Sequence, residues 1–313
     1  MSRIRTRGDQ RGERAARLAA TMGSATYPLH VDEPELARLR RQHAAWSDWT
    51  RECLDALDLR PGARVLELGS GPGLVTVDLA RRVGAEGSVV ALDASAAWLE
   101  QLGDETRRAG CAQVEARLGA LQEVEFAPDS FDAVHSRWFW SFVPEPELQL
   151  ARVAKWVAPG GRVCIQDYHH EGIALVPRSR GFEALVRGLR AMYAHHGGDA
   201  FVAGRIPRMA RVAGLEVLEM KPLARCARPG DELWGWAEDF FPRYARKLLA
   251  GGWIAALEFE AFLREWEERR GDEDAVLFAP VVVGGVLGRR GERGERGERG
   301  ERGERGERGE RGG

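Results

Sequence analysis

Short apolar runs alternate with amphipathic stretches along the middle of this chain. Arg64–Leu68 and Ser88–Leu92 are brief and rich in branched residues, the pattern of strands buried on both faces. Between them Val75, Leu79 and Val83 fall at i, i+4 and i+8, one face of a helix. Val114–Leu118 reads as a third strand and Phe131–Ser136 as a fourth. Leu150, Val153, Ala154 and Val157 make a helical stripe that stops at Pro159-Gly160-Gly161, and Arg162–Asp167 is a fifth strand. Strand and helix in alternation predict right-handed βαβ units. The fold class is therefore α/β: a Rossmann-like, doubly wound, mostly parallel sheet with helices on both faces.

After residue 168 the pattern changes. Helices are predicted at about 181–193 and 204–213, a strand at Leu215–Met220, and two more helices near 231–249 and 254–269. This is a helical insertion before the last strand, placed to roof a site. The final apolar run, Val276–Leu287, contains Pro280 and Gly284-Gly285, which suit an edge or bulged strand.

Both ends differ from this middle. Residues 1–29 are an Arg-rich leader read as disordered. Residues 291–313 repeat Gly-Glu-Arg with no proline and no apolar residue, so the tail lacks the imino acids of a collagen helix and any surface to bury. It too reads as disordered, which leaves 30–290 as the folded domain. Lys and Arg total 46 against 48 Asp and Glu, a net charge of −2 that gives no reason to expect nucleic acid as a partner. No run approaches the roughly 20 apolar residues of a membrane helix. Cys53, Cys111, Cys164 and Cys226 lie far apart without CxxC pairing, which points to a reducing cytoplasm and no zinc site. Oligomeric state is not legible.

The sharpest signal is VLELGSGPG at 65–73. A strand ends, three glycines make a tight turn where a ligand can approach the backbone, and a helix begins. Dinucleotide sites more often show GxGxxG. Glu67, at the strand end, would repel a pyrophosphate but suits a ligand with an ammonium group and no phosphate. Asp93 ends the second strand 20 residues after Gly73, where a carboxylate can accept both hydroxyls of a ribose. Each acid also has a purely structural reading: Glu67 as partner of a helix N-terminus, Asp93 as cap of the helix at 96–108.

Together VLELGSGPG, VVALDAS at 89–95, SFDAVHSRW at 130–138 and APGGRV at 158–163 resemble the class I methyltransferase family, and in particular its small-molecule branch that includes ubiquinone and menaquinone biosynthesis enzymes. The resemblance spans about residues 60–168 and implies S-adenosylmethionine as cofactor and a small-molecule acceptor. It implies that Glu67 engages the methionine end, Gly69 and Gly71 line the cofactor, Asp93 holds the ribose and Ala94 touches the adenine. Ser70, Gly73, Ala120 and Ser136 complete the cofactor set. In YPLHVDEPELARLRRQ at 27–42, similar to a leader helix that closes over the cofactor, Gln42 is a further contact. The acid that relatives often carry after the third strand is missing at Gly119-Ala120-Leu121, which leaves backbone contacts for the adenine.

The acceptor should lie beyond the ends of the fourth and fifth strands, HSRWFW at 135–140 and DYHHE at 167–171. Methyl transfer from a sulfonium is an in-line displacement that gains most from alignment and dryness. A hydroxyl acceptor would also need a base. His170 is the first candidate, with His169 and His135 behind it, and Tyr168 could orient the acceptor. His195 and His196 read as an exposed turn. Asp132 and Asp167 sit at opposite strand ends and should not form a metal site. Trp138, Trp140 and Phe142 form an aromatic wall, while Trp234, Ala237, Phe241 and Leu248 read as a helix's core stripe, and a flat or bulky acceptor is expected. Two other functions remain open: an S-adenosylmethionine-binding protein without chemistry, and an NAD(P)-dependent oxidoreductase.

Overall fold

A computed structural model describes residues 32–291. The predicted leader, and the tail beyond Gly291, lie outside the described residues.

Among the described residues two helices come first: α1 (Glu33–Ala45), capped by Asp32 accepting from Glu35 N at 2.8 Å, and α2 (Ser47–Asp55). Alternation then follows the predicted order: β1 (Arg64–Leu68), α3 (Thr76–Val83), β2 (Ser88–Asp93), α4 (Ala96–Arg108), β3 (Val114–Leu118), β4 (Phe131–Arg137), α5 (Pro146–Trp156) and β5 (Val157–His169). A short β6 (Ala174–Val176) leads into α6 (Arg180–His195), α7 (Ile206–Ala213), β7 (Glu216–Leu223), β8 (Cys226–Ala227), α8 (Glu232–Ala250) and α9 (Ala256–Arg270). β9 (Val276–Phe278) and β10 (Val281–Gly288) are the last described elements.

The main sheet runs β3-β2-β1-β4-β5-β10-β7, with the first five strands parallel and β10 antiparallel to both its neighbours. Successive strand residues serve opposite faces: Val65, Val89 and Ala133 join one buried cluster, while Leu66, Val90 and Val134 join the other. Both faces are therefore covered, which is why these strands read as unbroken apolar runs. The predicted stripe is buried, with Val75 at the N-cap of α3 and Leu79 and Val83 within it.

One expectation is corrected. The run 276–287 is not a single edge strand: it breaks at Ala279-Pro280, and its second half is interior, between β5 and β7. Its glycines are there because helices press on both faces. A Cβ on Gly284 would stand 2.6 Å from Cys53 Sγ and 3.2 Å from the Trp49 ring of α2, and one on Gly285 would stand 3.0 Å from Ile206 of α7. A bulge does occur, in the pairing with β7 between Val286 and Leu287. The small sheet β6-β9-β8 was not predicted, its strands being only two or three residues long.

The helical insertion packs as its own aromatic core. Trp234, Ala237, Phe241 and Leu248 are all buried, and Phe182, Phe241, Trp234 and Trp266 form a connected set of ring contacts. The flank of this stripe on α8 carries Phe240 and Tyr244 toward the carboxyl ends of the main-sheet strands, where the site lies.

Candidate active site

A cavity of about 230 Å³ opens at the carboxyl ends of β1, β2, β4 and β5. The loop after β1 forms its floor. Gly69 and Gly71 adopt φ of 67° and 54°, the left-handed region that favours glycine. A Cβ on Gly69 would strike the Phe139 ring at 2.5 Å, whereas one on Gly71 would meet nothing within 4 Å. Gly69 is thus fixed by packing as well as by φ, and Gly71 leaves the cavity wall free of a side chain. Ser70 lines the same wall. Gly73 does not; its φ of 86° and the contact its Cβ would make with Leu102, at 3.0 Å, place it at the packing of the loop on α4.

Asp93 lines the cavity with one carboxylate oxygen accepting from Gly71 N at 2.8 Å and the other from Ser95 N at 2.8 Å. Burial raises its pKa, opposed by those backbone donors. The cap of α4 is Ser95, which accepts from Trp98 N at 3.3 Å, so Asp93 does not fill that role. A carboxylate has about four lone-pair sites, so two remain for ligand hydroxyls. Ala94 also lines the cavity. Ala120 is not among the lining residues, although its neighbour Gly119 donates to Asp93 O at 3.0 Å.

Glu67 is buried, with Thr76 Oγ1 donating to one oxygen. Its other oxygen is 3.8 Å from His135 Nδ1, beyond hydrogen-bond reach. Burial pushes its carboxyl up to about 7, against the Thr76 hydrogen bond. A buried carboxylate with neither a bonded cation nor a second donor is what a ligand ammonium would complete.

Trp138, Phe139, Phe142 and Tyr168 build the far wall, with Trp140 and Ser141 buried behind it. Asp167, fully buried, gathers the loop by accepting from Phe139 N at 3.0 Å, Ser141 N at 3.2 Å and Tyr168 N at 2.8 Å. Burial raises its pKa to about 6. Trp138 sits at φ 53°, a strained conformation for a bulky residue. It is held there by donating its N–H to Gln166 O at 2.8 Å and by stacking on Tyr168 at 5.5 Å and 11°. The Tyr168 hydroxyl accepts from Gln42 Nε2 at 2.9 Å, and Gln42 Oε1 accepts from Trp236 Nε1 at 3.2 Å and from Arg38. Gln42 on α1 therefore reaches the cavity as predicted in position, tied to Tyr168.

The histidines lie elsewhere. His135 is fully buried opposite Glu67 in the β1–β4 pairing, both ring nitrogens lack partners, and burial lowers its pKa to about 3. His170 is buried in the turn after β5, edge-on to Tyr168 and Tyr193, and burial lowers its pKa to about 3. His169 packs against Phe201. None of the three lines the cavity, and the structure gives His170 no route to a substrate proton. Ser136 is also buried behind the wall, accepting from Trp140 Nε1 at 2.9 Å and donating to Cys164 O at 3.3 Å. His195 and His196 are exposed, as expected. Asp132 and Asp167 are separate: Asp132 accepts from Arg64 N at the other end of the sheet. Among the described residues no group of three His, Cys, Asp or Glu could hold a metal ion.

Sequence reasoning missed Arg38 and Arg137, both in the cavity wall, and Phe240 and Tyr244 from α8. Arg137 is the last residue of β4, a position that could have been flagged. The α8 residues depend on how the insertion folds back.

A glycine turn, two strand-end acids and a sheet with this strand order define a Rossmann-like site for a nucleoside-bearing ligand. Residues 65–161 match the methyltransferase domain family. A 37.1 kDa uncharacterized protein of transposon TN4556 from Streptomyces fradiae is 28% identical over 253 residues, covering 79% of this chain and 69% of its own. Nocamycin O-methyltransferase of Saccharothrix syringae is 34% identical over 36% of this chain and 40% of its own. A 2-phytyl-1,4-naphtoquinone methyltransferase of Thermosynechococcus vestitus is 35% identical over 39% and 53%. The match thus spans about half the length of these named enzymes. Among solved structures, one from Bacillus halodurans C-125 matches with a TM-score of 0.55 and 17% identity over 77% of this chain and 98% of that one. Geranyl diphosphate methyltransferase with bound S-adenosylmethionine matches at 0.51 and 15%, over 84% and 93%. These structures establish the fold. The chain thus carries a methyltransferase domain at residues 65–161, on a fold shared with solved S-adenosylmethionine-dependent methyltransferases.

Proposed function

We propose that this protein transfers a methyl group from S-adenosylmethionine to the oxygen, nitrogen or carbon of a small, flat or bulky organic acceptor. The observation that carries the reading is one cavity that joins Glu67, Gly71 and Asp93 on one side to Trp138, Phe142, Tyr168, Tyr193, Phe240 and Tyr244 on the other. Glu67 suits the ammonium, Gly69 and Gly71 the close passage of the ligand, and Asp93 the ribose hydroxyls. The aromatic side suits a planar acceptor by stacking and apolar burial. Two relatives are a nocamycin O-methyltransferase and a 2-phytyl-1,4-naphtoquinone methyltransferase, which supports a small molecule over a polymer.

The bound cofactor supplies an electrophilic methyl on a sulfonium. The chain's residues align and dry the reaction: Trp138 and Tyr168 form a platform, and the Gln42 amide fixes the Tyr168 hydroxyl by donating to it. Burial raises the pKa values of Tyr168 and Tyr244, so neither phenol is a proton acceptor at neutral pH. Among the described residues the aromatic side presents no histidine or carboxylate. The reading therefore favours alignment without a base from these residues. The four cysteines are free, which fits a cytoplasmic setting, and no described helix is long and apolar enough to cross a membrane.

The test is incubation of the protein with methyl-labelled donor and a metabolite extract, with mass detection of products. A labelled small molecule and S-adenosylhomocysteine are expected. Donor binding without any labelled product would reverse the assignment in favour of a protein that keeps the cofactor site for another purpose; the cyclase SpnF shares this fold with a TM-score of 0.50.

Glu67 gives a pH prediction. Its raised pKa means the apoprotein holds Glu67 protonated below pH about 7. That stabilisation of the fold is full below the ordinary value of 4.5 and is lost as pH rises through 7. A ligand ammonium favours the carboxylate, so binding below 7 must release the proton. S-adenosylhomocysteine should bind about tenfold more weakly at pH 6 than at pH 8. Calorimetry in buffers of different ionisation enthalpy checks the proton release, and Glu67→Gln should flatten the dependence.

A further inference from the structure

Two guanidinium groups line the cavity, and they are not equivalent. Arg38 holds Glu35 with two donors, Nε to one oxygen at 3.0 Å and Nη2 to the other at 2.7 Å, so its charge is compensated within α1. Arg137 is the last residue of β4, beside the end of β1 where Glu67 lies. Its Nη1 donates to Thr50 Oγ1 at 3.1 Å and its Nη2 to His43 Nδ1 at 3.1 Å. The guanidinium also stands 4.4 Å from the Trp138 ring centroid. Each of these partners is neutral. Burial lowers the pKa of His43 to about 4, so its Nδ1 remains an acceptor. Among the described residues no carboxylate is within ion-pair distance of Arg137; burial lowers its pKa, and Glu67 across the cavity opposes that through space without touching it.

One cavity thus holds a buried carboxylate without a bonded cation and a guanidinium without a bonded anion, on neighbouring strand ends. The ligand that completes both carries an ammonium and a carboxylate on one carbon. We propose that Arg137 binds the α-carboxylate of the cofactor's methionine end and makes the site selective for the intact amino acid over decarboxylated donors. This rests on the methyl-donor reading above. Thr50 and His43, from the two helices ahead of the sheet, are positioning residues: they use donors on two arms of the fork and leave the others for the carboxylate. A lysine cannot reproduce that fork, because its point charge cannot bond Thr50, His43 and a carboxylate in one plane.

The test compares two ligands by calorimetry: S-adenosylhomocysteine, and its decarboxylated analogue, which keeps the adenosine, thioether and amine. Wild-type protein should bind S-adenosylhomocysteine about 10- to 100-fold more tightly than the analogue. Arg137→Gln should lose that factor for S-adenosylhomocysteine and bind the analogue within about threefold of wild type, and Arg137→Lys should fall between. Equal binding of the two ligands by wild type overturns the proposal without any variant being needed. So does an equal loss of both ligands in Arg137→Gln, which would mark a purely structural arginine. Failure of wild type to bind either ligand overturns the methyl-donor reading, and the proposal with it.

Discussion

Asp93→Ala should weaken S-adenosylhomocysteine binding by roughly 30- to 1000-fold. Two hydroxyl hydrogen bonds to a charged acceptor are worth roughly 1.5–3 kcal/mol each. Hydration of the freed hydroxyls returns part of that, which leaves about 2–4 kcal/mol, and each 1.4 kcal/mol is tenfold. The structure adds a second cost. The same carboxylate accepts from Gly71 N and Ser95 N, so its removal leaves two backbone donors at the mouth of the site unpaired. Stability should therefore fall by about 1–3 kcal/mol. Asp93→Asn should not rescue fully, because whichever way its amide turns, one NH₂ faces a backbone N–H. Affinity titrations and melting curves on both variants separate the two roles. A normal Kd with a lowered melting temperature would leave Asp93 as a loop clamp and remove it from ribose binding.

Gly284→Val should be the most destabilising single change proposed here. The Cβ alone would stand 2.6 Å from Cys53 Sγ, with the Trp49 ring at 3.2 Å, and valine adds two methyl groups to the same space. Inserting extra methylenes into a packed core costs about 1–3 kcal/mol. Here the obstacle is α2 on a central strand, so about 3 kcal/mol or more is expected. For a domain of this size that is a fall of about 6–12 °C in melting temperature. Gly284→Ala should fall by less. A valine variant that melts like wild type would mean that α2 does not press on β10 as described.

That glycine also shows where sequence reasoning reached its limit. β2 was legible because burial on both faces leaves an unbroken apolar run, whereas β3 is an exposed edge, and α3 was legible because Val75, Leu79 and Val83 share one face. In β10 the two glycines resembled the signature of an edge. Their cause is long-range, the approach of α2 and α7 to opposite faces, and nothing local in the run encodes it.

The site divides in the same way. Glu67, Gly69, Gly71 and Asp93 belong to one turn and the strand ends beside it, so their convergence follows from local order. The histidines were chosen for chemistry and for sequence distance from strand ends, and the fold turned them inward. His135 lies one pleat below Arg137 on the same face of β4, and the turn after β5 carries His170 back under Tyr168 and Tyr193. Arg137 was passed over because its significance lies in a missing partner, and a missing partner is visible only when the neighbours are placed. Phe240 and Tyr244 arrive from more than 70 residues beyond the fifth strand, on the flank of the core stripe of α8.

The most direct test of the central claim is calorimetric titration of the protein with S-adenosylmethionine, S-adenosylhomocysteine and NAD under one set of conditions. The first two should bind at one site per chain, with no heat from NAD. Saturable NAD binding, with neither adenosyl ligand bound, would contradict the account.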